Sequence, residues 1–179
     1  MTQTIPDFPY HPDPLATGSV VSSDEPCACC GQVRGFRYTG PVYSTGTFGG
    51  QLCPWCIADG RAAERYRAQF SAGVDSEDEV SGDAVRAIIE RTPGFTAWQD
   101  EQWLTHCGDG AAYLGPAGAS ELAGHPDAIR ALWREYRGYG WPPDGIEDFL
   151  ARLDKESQPT AYLFRCRVCG THLAYADYT

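Results

Sequence analysis

Cys27-Ala-Cys-Cys30-Gly31 and, 22 residues after Cys30, Leu52-Cys53-Pro54-Trp55-Cys56 are the stretches whose reading decides the fold. Each offers two thiols separated by two residues, a spacer that lets both sulfurs turn toward one metal while neighbouring amides satisfy them. Between the pairs the chain is turn-rich. Phe36, Tyr38, Val42 and Tyr43 form two short strand-like runs broken at Gly40-Pro41, which predicts a hairpin. After Cys56, apolar Ala58, Ala62, Tyr66 and Phe70 recur at four-residue steps, the mark of one helix face. The second pair then opens a helix, where the dipole favours thiolate charge. Two pairs, a hairpin and a helix make the layout of a treble-clef zinc site, with Cys27, Cys30, Cys53 and Cys56 as the expected closed tetrahedral set. Cys29 is expected to point elsewhere or to substitute for one of these ligands.

The rival reading takes Cys53-Pro-Trp-Cys56 as a redox dithiol of a thiol oxidoreductase, since a helix N-terminus lowers a thiol pKa. A thioredoxin-like fold would need a βαβ unit upstream, where this chain has another cysteine pair and turns.

Outward from this module, residues 2–26 carry five prolines and read as an extended arm pinned to the body by Phe8 and Tyr10. Residues 73–83 hold five acids among Ser and Gly and predict an exposed acidic linker. Ser81 to Arg91, Pro126 to Tyr136 and a stretch capped near Asp144 and running to Leu153 predict helices. Trp98 to Cys107 reads as an aromatic strand turning through Gly108-Asp109-Gly110 into a strand from Ala111 to Leu114. Thr160 to Cys166 and His172 to Tyr175 predict two strands around a last pair, Cys166-x-x-Cys169-Gly170. Trp98, Trp103, Trp133 and Trp141 are expected as core and groove lining, and His11 and His125 as bystanders.

With Cys107, the last pair supplies three thiols of a second zinc site. The fourth donor is open among His172, His106 and Asp109, and His172, two residues beyond the knuckle, is the choice. Three thiolates and one exchangeable position would instead suit a zinc-dependent hydrolase with an open site at Cys107, Cys166 and Cys169. A cysteine-nucleophile reading of His106-Cys107 fails on the expectation that neighbouring strand side chains face opposite ways.

The whole chain of 179 residues fits one domain: an arm (1–26), the zinc module (27–72), the linker (73–83) and an α+β body with a C-terminal zinc-knuckle hairpin (84–179) on a small mixed core. Eight cysteines, six of them in Cys-x-x-Cys pairs, suit metal binding in a reducing compartment, so a cytoplasmic protein is expected. No apolar run approaches a membrane span. The net charge of −10 argues against an extensive nucleic-acid surface. Residues 27–70 nevertheless carry five Arg against two acids, a local +3 that leaves −13 on the remainder. That distribution leaves nucleic acid as a minor option at the module and favours a protein partner for the acidic part. Oligomeric state is not legible.

Longer motifs add a resemblance. Phe8-Pro-Tyr-His-Pro-Asp-Pro-Leu15-Ala-Thr-Gly18, Tyr38-Thr-Gly-Pro-Val-Tyr43, Leu52 to Gly60, Arg91-Thr-Pro-Gly94, Trp103-Leu-Thr-His-Cys-Gly-Asp109 and Tyr162 to Gly170 resemble the bacterial CbrC family across nearly the whole chain. The resemblance implies a protein linked to tolerance of colicin-type toxins, with relatives among immunity-like modules. Some relatives carry a further Cys where this chain has Gly110-Ala111, so a four-thiolate second site is not implied. The expectation is therefore a non-enzymatic, zinc-binding tolerance or immunity-like protein acting through a protein partner, a basic toxin being one candidate.

Overall fold

Thr160–Arg165 (β8) alternates two faces, Thr160, Tyr162 and Phe164 against Ala161 and Leu163, and all five are buried. A strand apolar on both faces needs a layer on each side. In the computed structural model, which describes residues 4–46, 49–75 and 80–178, β8 is the centre of an antiparallel sheet, flanked by Ala112–Ala117 (β7) and His172–Asp177 (β9). The register sets Leu163 opposite Ala174 and Tyr162 opposite Tyr175.

Pro126–Gly138 (α5) and Pro143–Ala151 (α6) cover the first face, burying Leu132, Tyr136, Ile146 and Phe149 with Ala161, Leu163 and Ala174. The other face meets an aromatic cluster. Phe95 stacks on Tyr113 with ring centroids 3.8 Å apart, and Trp103, Phe164 and Tyr162 close around them. Gly82–Arg91 (α3), capped by Ser81 accepting from the Ala84 amide, adds Ile88 to this layer.

The cysteine-rich module has its own core of Phe8, Leu52, Ile57, Phe70 and the buried thiols. Two expectations fail there. The two strand-like runs do not pair with each other: Gly35–Tyr38 (β2) pairs with Val20–Ser23 (β1) from the arm, and Tyr43–Ser44 (β3) with Ala68–Gln69 (β4). The arm thus contributes a strand, which starts at its β-branched pair Val20-Val21. The single helix after Cys56 is two, Pro54–Ala58 (α1) and Arg61–Tyr66 (α2), broken where Gly60 takes a left-handed φ of 79°.

In the body, the aromatic strand expected over Trp98–Cys107 shrinks to Thr105–His106 (β5), paired with Asp109–Gly110 (β6). Trp98 is exposed and Trp103 fully buried. A short helix, Ala119–Leu122 (α4), has no counterpart among the sequence expectations. Part of the expected acidic linker, residues 76–79, lies outside the described residues.

The arm ties module to body. His11 is fully buried, its Nδ1 2.6 Å from the Pro93 carbonyl oxygen and its Nε2 2.7 Å from Thr17 Oγ1. The Tyr113 amide donates to the Tyr10 carbonyl, and Tyr10 lies under the Arg167 guanidinium. Gly94 passes so close to the module that a Cβ there would fall 1.7 Å from the Phe70 carbonyl oxygen.

Candidate metal centres

Cys27 lies where the chain bridges to Gln51, and Cys30 ends a tight turn closed by the Gly31 amide donating to the Cys27 carbonyl. Cys53 is the N-cap of α1 and Cys56 sits in its first turn. The four sulfurs all lie within 4.8 Å of one another. Cys27 to Cys56 and Cys30 to Cys53 are each 3.9 Å. A tetrahedral zinc with bonds of about 2.3 Å requires sulfurs about 3.8 Å apart. The Cys53 amide donates to Cys27 Sγ at 3.3 Å, as a thiolate ligand is ordinarily held.

The thiol electrostatics are those of a cluster that could hold a cation. Burial pushes Cys53 up to about 11, with Cys27 adding to it against the hydrogen bonds of Cys56, and drives Cys56 higher still, with Cys53, Cys30 and Cys27 adding to it. Burial also opposes ionisation of Cys30, but the Gln32 backbone and the surrounding thiols outweigh it and bring Cys30 down to about 7. Four sulfurs this close cannot all ionise alone, and a divalent ion removes the conflict. Cys29 is buried outside the set, and its carbonyl accepts from Arg65.

The second cluster is His106, Cys107, Cys166 and Cys169, again within 4.8 Å. His106 Nδ1 lies 3.1 Å from Cys107 Sγ and 3.4 Å from Cys169 Sγ. Cys166 Sγ accepts from the Val168 and Cys169 amides. The hydrogen bond that the Cys107 thiol donates to Cys169 raises Cys107 to about 11, whereas Thr171 lowers Cys169 to about 6.

The expected fourth donor, His172, is not brought here. Its amide donates to Asp127 Oδ2 at 2.7 Å, its Nδ1 lies 3.3 Å from the same oxygen, and its ring is 4.2 Å from that of His125. As the first residue of β9 it lies opposite Arg165, so it faces the α5 side of the sheet. Asp109 is also elsewhere, accepting from Tyr10 Oη and pairing with Arg167 at 2.5 Å.

The sequence argument against pairing His106 with Cys107 is that consecutive strand side chains diverge. Cys107 is not on a strand, however. With φ of 54° at Cys107 and 74° at Gly108, the pair forms a two-residue turn of left-handed residues. Such a turn swings neighbouring side chains to one side. The signal is present in the sequence: Gly31, Gly108 and Gly170 each follow the last Cys of a knuckle, and each has a φ between 71° and 78°.

Beside the second cluster runs a groove of about 530 Å³, lined by Leu114, Val168, Arg165 and Arg167 as well as Cys166 and Cys169. Leu114 and Val168 are exposed. No described helix is long and apolar enough to cross a membrane.

The family matching residues 5–178 is the uncharacterised protein family UPF0167. The chain belongs to it. A UPF0167 protein of Mycobacterium bovis, Mb2317, is 54% identical over 177 residues, covering 98% of this chain and 95% of the relative. MT2352 of Mycobacterium tuberculosis matches equally, and PA1536 of Pseudomonas aeruginosa is 41% identical over 181 residues and the full length of both chains. No solved structure matches. These matches correct the CbrC resemblance: the motifs that suggested it lie in a UPF0167 chain, and nothing in the matching names concerns colicin tolerance.

Proposed function

We propose that this UPF0167 protein is a binding module built on two structural zinc ions, one in a treble-clef-like centre of Cys27, Cys30, Cys53 and Cys56, the other in a knuckle of His106, Cys107, Cys166 and Cys169. The observation that carries the reading is that each cluster brings four protein donors within 4.8 Å. Four donors complete a tetrahedral zinc and leave no position for a reacting water. A zinc-dependent hydrolase needs that position, and His106 stands in it.

The oxidoreductase reading is disfavoured on the same ground. Cys53 and Cys56 are buried at 2% and 0% exposure, with Cys27 and Cys30 against them rather than an open face. Binding is then the remaining task. The net charge of −10 suits a cationic protein partner, whose approach it would accelerate. Toxin tolerance rested on the corrected resemblance and forms no part of this reading.

Cobalt substitution tests the two centres. Protein refolded with Co²⁺ is expected to bind two ions with the intense visible bands of tetrahedral coordination, one spectrum thiolate-only and the other with a nitrogen donor. A weak five- or six-coordinate spectrum from either ion would refute the closed-site reading.

A further inference from the structure

The two clusters differ in one respect that their shared chemistry does not require. In the first, Cys27, Cys53 and Cys56 are all at most 3% exposed and Cys30 is half-buried. In the second only Cys166 is buried, at 2%, beneath the His106 carbonyl, and Cys107 and Cys169 are open to solvent. Their sulfurs belong to a set lying within 4.8 Å, and both sit on knuckle turns rather than inside regular structure. A thiolate reacts with oxidants according to its access, and two accessible sulfurs near one another can resolve into a disulfide.

We propose that Cys107 and Cys169 are a modification site: hydrogen peroxide, or another two-electron peroxide, couples them into a disulfide and so releases the ion from the second centre alone. The proposal rests on reading that cluster as a zinc site. One of the two thiolates attacks a peroxide oxygen, the O–O bond breaks, and the departing hydroxide takes a proton to become water. The sulfur is now a sulfenic acid. The second thiolate attacks it, an S–S bond forms, and the displaced hydroxide takes a second proton. Two sulfurs have lost two electrons, peroxide has gained them, and two protons have been consumed. The metal keeps only His106 and Cys166, and two donors do not hold zinc against water.

The structural consequence is local. The turn Cys107-Gly108 and its two-residue strands are fastened to the Cys166–Cys169 knuckle through this centre, and both knuckle cysteines line the groove holding Leu114 and Arg165. Oxidation would therefore alter that groove while the cysteine-rich module stays intact.

The experiment uses the full chain loaded with zinc and counted by elemental analysis before treatment. Hydrogen peroxide is added in excess with a chromophoric chelator present, and the oxidised protein is digested and mapped by mass spectrometry. One equivalent of zinc is expected to leave at least about tenfold faster than the other, together with a peptide pair joined through Cys107 and Cys169. Dithiothreitol with added zinc should restore two ions. Cys29→Ala, which alters a thiol outside both clusters, should keep the same split. Equal release from the two centres, or a first disulfide between any other cysteines, would overturn the proposal. A starting count of one zinc would overturn the two-centre reading and the proposal with it, whereas a count of two followed by equal release would overturn the proposal alone.

Discussion

Replacing His11 with asparagine should make the protein's stability less sensitive to acid. The imidazole is fully buried, and both nitrogens are engaged, by the Pro93 carbonyl and the Thr17 hydroxyl. Burial, which outweighs the help a cation would get from Pro93 and Asp13, lowers its pKa to about 4. The unfolded chain, with a histidine near the ordinary 6.5, binds a proton that the folded chain refuses. Stability is therefore complete above about pH 6.5 and drains away as pH falls toward 4. The full span is worth about 3 kcal/mol, at about 1.4 kcal/mol per pH unit, and about 1.4 kcal/mol of it is gone by pH 5.5. The amide of the His11→Asn variant cannot titrate, and that variant should start about 1–3 kcal/mol less stable at pH 7.5 through lost hydrogen bonding and packing. Urea unfolding of both proteins at pH 7.5 and 5.5, in matched zinc buffers, measures the gap between them. Contributions common to both, including proton uptake by the thiolates, cancel in that gap. It should narrow by about 1.4 kcal/mol at the lower pH. An unchanged or wider gap would show that His11 is not held neutral by its burial.

Three further outcomes are expected. His106→Ala should reduce the bound zinc from two per chain to one while His172→Ala leaves two, counted by elemental analysis after exhaustive dialysis. Phe95→Ala removes the ring stacked on Tyr113 at the centre of the aromatic layer and should cost about 3–5 kcal/mol in denaturant unfolding, with both metals retained in the folded fraction. Gly94→Ala should cost about 1–3 kcal/mol or more, because the colliding atom is the Phe70 backbone carbonyl rather than a side chain that can move aside; wild-type stability would refute the close approach.

Local patterns are readable where local physics sets the outcome. Periodicity in 126–136 and 160–166 points to α5 and β8, because the face each must bury is written within a dozen residues. The two Cys-x-x-Cys pairs near the N-terminus come together as their spacing implies. What fails depends on backbone states or distant partners. His106 is legible as a candidate donor, but what brings it rather than His172 into the cluster is the left-handed φ at Cys107, a conformation that few residues other than glycine adopt. β1 is masked among prolines because its partner lies in β2, and β3 finds β4 rather than β2. The break at Gly60 is visible as a glycine, yet four-residue spacing continues across it and conceals the turn.

The arm gives this chain a particular order of birth. Tyr10 and His11 leave the ribosome well before Pro93, Asp109, Tyr113 and Arg167, which hold them against the body. At about 5–20 residues per second, Arg167 follows Tyr10 by roughly 8–30 s. For that interval Phe8 can already seat in the cysteine-rich core, but the strap across the body has nothing to grip. The arm is among the last parts to settle, and a domain fused next to it would be carried on a segment still waiting for residues made much later.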